Sequence, residues 1–167
     1  GGIIVADLRP PGAFWMGALV KLTVRDDGTA TGFFLAGQDS FMSARPDRDT
    51  PGAPPLVNFD MRRVHERSTR VAGEALETRG LSLAIWQQLP GLFVSPGEQM
   101  SLVAVDGSWC EVPRAFAEEN GRVSFGGPSD VWATVETIHE QWLDQGAPGT
   151  ERYRLTVTPG SESVSLS

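Results

Sequence analysis

At 167 residues the chain is long enough for one domain, or a domain and part of another, with a core of its own. Its apolar share of 40% and charged share of 21%, with no apolar run near the ~20 residues that span a bilayer, mark a soluble globular chain and exclude a transmembrane one. A net charge of −7, with no Lys/Arg stripe interleaved with aromatics, argues against nucleic acid and anionic membranes as partners and for a peptide of basic character.

In chain order, the first element is Gly1 to Leu8, GGIIVADL, where Ile3, Ile4 and Val5 read as a strand covered on both faces. A strand of that type at the first residues, without a methionine or a polar lead-in, reads as a cut inside a domain whose other strands lie upstream. Between Ala18 and Leu35 the alternation of Lys21, Thr23 and Arg25 with Val20, Leu22 and Val24 predicts a strand with one apolar and one partly polar face. Asp26-Asp27-Gly28 supplies a turn, and Thr29 to Leu35 returns as the partner strand.

Pro46, Pro51, Pro54 and Pro55 with Gly52 then make a joint that suits neither a helix interior nor a central strand. It divides the chain into residues 1–46, a joint at 47–56, and a second unit at 57–167. Within the second unit Leu81 to Leu89 reads as a strand ended by Pro90-Gly91. Ser101 to Val105 and Ser108 to Val112 form a hairpin around Asp106-Gly107, Arg122 to Phe125 is a short strand, and Tyr153 to Thr158 pairs with Ser163 to Leu166 around Pro159-Gly160. The single predicted helix runs from about Asp130 to Gln145, with Ser129 as N-cap and Gly146 beyond its end. Val131, Trp132, Val135, Ile138, His139, Trp142 and Leu143 share one of its stripes and imply a sheet beneath. The second unit is thus an α+β domain with one main helix across an antiparallel sheet.

Three blocks in the first part, GGIIVADL, the Ala18–Leu35 hairpin and the exit Phe41-Met42-Ser43-Ala44-Arg45, resemble the last strands of protein-L-isoaspartate O-methyltransferases. The Arg three residues after Phe-Met is similar to the actinobacterial branch encoded beside ribosomally made peptides such as lanthipeptides and graspetides; Ser43 departs from it, standing where that branch often has Pro. VDGSWCEV (Val105 to Val112), GGPSDVWATVETIHEQW (Gly126 to Trp142) and ERYRLTVTP (Glu151 to Pro159) resemble the C-terminal extension of the same branch, in the same order. Asp47 to Gly80 carries little of the likeness.

The resemblance implies that residues 1–46 are terminal antiparallel strands of a seven-stranded α/β methyltransferase sheet and that residues 57–167 are a small antiparallel-sheet extension that recognises the substrate peptide. It implies an S-adenosylmethionine-dependent carboxyl O-methyltransferase acting on an aspartate of a modified precursor peptide in the cytoplasm. The methyl ester then loses methanol as the neighbouring amide nitrogen closes a succinimide. The cofactor would be bound wholly upstream. Neither Gly1-Gly2 nor Gly126-Gly127 is followed by the strand-turn-helix pattern with a later carboxylate that holds such a ligand, so this segment carries no cofactor site and no catalytic residue.

Substrate contacts are expected from Phe41, Met42 and Arg45, just beyond the hairpin, with Arg45 able to grip a carboxylate, and from Trp15 in the Pro10-Pro11-Gly12 loop. A packing role stands beside this, with Phe41 and Met42 plugging the joint and Arg45 paired locally. Trp86, Trp109, Trp132 and Trp142 read as core, Cys110 as a small buried hydrophobe, His139 as a boundary residue, Asp106 as a turn residue and Glu118-Glu119 as solvated loop. His65 and His139 are far apart, and one cysteine gives neither a disulfide nor, with them, a structural zinc site. Two other roles are open: a peptide-binding module working through a sheet edge without catalysis, and a structural cap that shields an edge or makes a homodimer contact.

Overall fold

A computed structural model of the chain describes residues 1–8, 18–36 and 64–167. Ten strands form two five-stranded sheets, antiparallel throughout: β1 (Gly2–Leu8), β2 (Ala18–Val24), β3 (Ala30–Phe34), β9 (Tyr153–Thr158) and β10 (Ser161–Leu166) in the first, in that spatial order. The second runs β4 (His65–Thr69), β8 (Gly121–Gly126), β7 (Trp109–Pro113), β6 (Gln99–Val103) and β5 (Phe93–Ser95). Two helices, α1 (Arg79–Gln88) and α2 (Val131–Asp144), complete the α+β architecture. A seven-stranded sheet is not seen among the described residues.

The two strongest turns form as their sequences demand. Gly28 and Gly107 both have positive φ, and Asp27 and Asp106 each accept the backbone N–H two residues on, at 2.9 Å. The last hairpin, placed by its sequence in the second unit, is instead hydrogen-bonded to the first, with Ala30 opposite Val157 and Phe33 opposite Arg154. Pairing of that kind is set by which apolar faces meet in three dimensions, which local sequence does not record.

The segment read as a strand from Leu81 to Leu89 is helical as far as Gln88. Its apolar residues alternate like those of a strand because α1 lies between two cores: Leu81 and Ile85 enter one, and Leu83 with Trp86 the other. A helix covered on opposite sides loses the one-sided stripe that identifies it. The first core lies on the inner face of the first sheet, formed by Val20, Leu22, Phe34, Tyr153 and Leu155. The second joins strands β5 to β8 to Val131, Trp132, Val135 and Ile138 of α2.

Helix α2 follows the expected stripe except that Leu143 is 50% exposed. Its N-cap is Asp130, whose carboxylate accepts the Ala133 N–H at 3.0 Å, and not Ser129, whose N–H and hydroxyl are engaged by Ser108. Two strands not predicted, β4 and β5, are short edge strands; β4 is polar, HERST, and has no alternation to betray it. Within this chain β1 is not covered on both faces: Ile3, Ile4 and Val5 are 66%, 49% and 59% exposed, on a strand that among the described residues pairs with β2 alone.

Among the described residues no helix is long and apolar enough to cross a membrane.

Candidate functional site

Phe41, Met42, Arg45 and Trp15, the residues expected to touch a substrate, lie outside the described residues, as does the joint at 47–56. The described part holds three polar arrangements that could carry chemistry.

The first ties β4 to α2. Arg67 Nε donates to Asp130 Oδ2 at 2.6 Å, and its Nη2 lies 2.6 Å from Glu136 Oε2, an ion-pair contact whose N–H direction misses the carboxylate. Thr69 Oγ1 donates to Glu136 and accepts from the buried Trp132 Nε1 at 3.0 Å. Burial works against the Arg67 charge, but the hydrogen bond it donates to Asp130 and the negative charges of Glu136 and Asp130 outweigh it and hold the guanidinium above its ordinary range. Every member is tied to another by a hydrogen bond or, for Arg67 Nη2, by charge alone, which is what an edge strand clamped to a helix requires.

The second lies at the Asp106 turn. Ser108, fully buried, accepts the Ser129 N–H at 2.9 Å and shares a 2.8 Å hydroxyl contact with Ser129. The Ser108 backbone N–H, then its side chain, hold the Asp106 carboxyl below the usual range. Gly126-Gly127 stands between a strand and a helix, where the predicted Arg122–Phe125 strand and Asp130–Gln145 helix put it. The N-terminus of α2 is nevertheless occupied by Asp130 itself, and a side chain at Gly127, where φ is +93°, would run into Ser108. The cluster seals a helix end against a hairpin.

The third arrangement is the outer face of the first sheet. Cross-strand register places Val5, Lys21, Phe33, Arg154 and Ser165 in one row across all five strands, with Ile3, Thr23, Thr31, Thr156 and Ser163 in the next row. The Arg154 guanidinium sits 4.7 Å from the centroid of Phe33, which is 42% exposed. Lys21 and Arg154 are exposed, and among the described residues neither has a carboxylate partner. By contrast Arg67, Arg114 and Arg122 are all ion-paired. The alternation of β2 marked Lys21 as outward. What the sequence could not show is that Arg154, far along the chain, stands on the other side of Phe33.

The remaining single residues behave as packing. Trp109 and Trp132 are buried, Trp86 and Trp142 partly so against the two cores, and Cys110 is fully buried, its thiol pushed up chiefly by burial. His139 is half-buried beside Trp142; burial lowers its pKa against the pull of Glu140 and Glu136. Among the described residues no three His, Cys, Asp or Glu side chains are grouped to hold a metal ion.

No family model matches the chain, and no curated protein matches it. Among solved structures it is similar to a protein-L-isoaspartate O-methyltransferase at 14% identity, with a TM-score of 0.43, covering 100% of this chain and 47% of that one. The chain thus spans about half the length of that protein, at a likeness too low to carry fold or function across.

Proposed function

We propose that the chain is the C-terminal portion of an S-adenosylmethionine-dependent carboxyl O-methyltransferase of the isoaspartate type, whose first sheet continues past β1 into the catalytic fold. Residues 1–46 belong to that fold, with β9 and β10 completing their sheet, and residues 57–167, together with that sheet, serve recognition of an aspartate-containing modified precursor peptide. The observation that carries the reading is β1: among the described residues it is paired on one side only and exposes three aliphatic residues, as a strand does when its next neighbour in a sheet is absent. The ordered motifs of the sequence support it independently.

S-adenosylmethionine, held outside this segment, would supply the methyl group for an aspartate carboxylate. The next residue's amide nitrogen then attacks the ester carbonyl, loses its proton and expels methanol, which closes the succinimide. Such chemistry asks for positioning and exclusion of water more than for a strong base. Phe41, Met42, Arg45 and Trp15 are proposed to contact the peptide; the methyl donor is held outside this segment.

The test pairs the chain with the coding sequence that precedes it in frame. The longer protein, given S-adenosylmethionine and a precursor peptide, is expected to add the mass of a methylene and then yield a product lighter than the starting peptide by one water. In hydrogen exchange, those backbone amides of Ile3 to Val5 that point away from β2 should be protected in the longer protein and exchange freely in the chain alone, while those bonded to β2 are protected in both. Absence of methyl transfer together with unprotected outward β1 amides would refute the reading and favour a free-standing module.

A further inference from the structure

We propose that the outer face of the first sheet, centred on Lys21, Phe33 and Arg154, binds an acidic segment of a peptide, with an apolar side chain over Phe33 flanked by carboxylates on Lys21 and Arg154. This names the partner chemistry for the peptide recognition proposed above and rests on that reading only for the origin of the peptide.

Charge singles this face out. The chain carries −7, yet the exposed positions of the two rows contain two cations and no carboxylate. Cations that meet no carboxylate among the described residues make, on an acidic protein, a local positive field at odds with the whole. Over a screening length of ~8 Å at physiological salt, a short ligand on this face responds to the local charges first. A duplex or a membrane extends far beyond the face and meets the net negative charge, and two cations could offset few of its phosphates. Net charge alone would favour a basic partner; the local field favours an acidic one.

Geometry sets the spacing. Lys21, Phe33 and Arg154 occupy neighbouring strands β2, β3 and β9 in one row, so the two cationic positions are separated by two strand spacings, ~10 Å. Phe33 lies between them. Arg154 already rests against the Phe33 ring, which fixes its guanidinium while leaving N–H groups to donate to a carboxylate. The hydroxyls of Thr23, Thr31, Thr156 and Ser163 in the adjacent row can take up further polar groups of an extended chain.

The experiment uses the whole chain and no methyl donor, so that failure here leaves the methyl-transfer reading to its own test. A short fluorescein-labelled peptide alternating Glu with Leu is titrated by anisotropy against the chain, beside the same peptide with Lys in place of Glu. Saturable binding of the Glu peptide alone is expected, weakening with added salt and ~10-fold or more in the Lys21→Glu/Arg154→Glu variant. Phe33→Ala should weaken it several-fold. Lys21 is the chain's only lysine, so acetylation mapped by mass spectrometry provides a second readout on unaltered protein, and bound peptide should protect that site. Failure of the Glu peptide to bind, equal binding of the Lys peptide, unchanged affinity in the double variant, unprotected Lys21, or tighter binding of single-stranded DNA or phosphatidylserine vesicles would each overturn the proposal.

Discussion

Helix α1 supplies side chains to both cores, and this makes a sharp statement about cooperativity. Leu83 is 1% exposed in the core of the first sheet, and Ile85 is 5% exposed in the core of the second. Replacing either with alanine removes three carbons' worth of buried apolar surface, about 2.4 kcal/mol of transfer at ~0.8 kcal/mol per methylene. The cavity left in a packed interior adds to this, so about 3 kcal/mol is expected for each. At ~2–4 °C per kcal/mol for a chain of this size, that is about 6–12 °C in Tm. Calorimetry on the wild type and the two variants should show one transition in all three, shifted by similar amounts, because losing α1 uncovers both sheets together. Two transitions, with Leu83→Ala moving one and Ile85→Ala the other, would refute the coupling and restore two independently folding units.

Three further outcomes follow from buried groups and close approaches. The Tyr153 hydroxyl is buried with no hydrogen-bond partner among the described residues, so Tyr153→Phe should be neutral or stabilising by up to ~1 kcal/mol in urea denaturation. Burial raises the Tyr153 pKa, so above pH ~10 the unfolded chain gives up its phenol proton before the folded one does, and stability falls as pH rises. Tyr153→Phe should remove that loss, and tyrosinate absorbance reads this group alone because the chain has one Tyr. The buried Cys110 thiol, also raised, should be inert to a thiol reagent in the native state and titrate at full stoichiometry in urea; its contribution to stability falls above pH ~8.5, where the unfolded thiol ionises. A side chain at Gly80 would overlap the Pro148 carbonyl that accepts from Trp142 Nε1, so Gly80→Ala should destabilise the chain by ~1–3 kcal/mol despite alanine's higher helix propensity, measurable by thermal melting.

What could be read from the sequence was what is decided locally. The β2–β3 and β6–β7 hairpins declared themselves because Asp-Gly turn chemistry and alternation act within a few residues. Helix α2 was visible from its stripe and its cap, although the capping role fell to Asp130 once Ser108 had claimed Ser129. Helix α1 was misread because burial on opposite sides removed its periodicity, and β4 was missed because its stability comes from Arg67 and Thr69 reaching α2, not from its own composition. The tryptophans' core role was legible from their positions on apolar faces. The row of Lys21, Phe33 and Arg154 was not, since it exists only after β9 has joined β3.

That joining also governs the order in which the molecule can be assembled on the ribosome. The second sheet lies in sequence between β3 and β9, like a parenthesis opened early and closed late. Its strands emerge and can pair with one another while β3 still has an open edge. Only when well over half the chain has followed does β9 arrive to cover it. The first sheet therefore has high contact order and completes last, and through most of synthesis the nascent chain presents an unpaired, partly apolar strand. Any truncation that removes the final hairpin reproduces that immature state, in which β3 becomes a sheet edge and aggregation competes with folding.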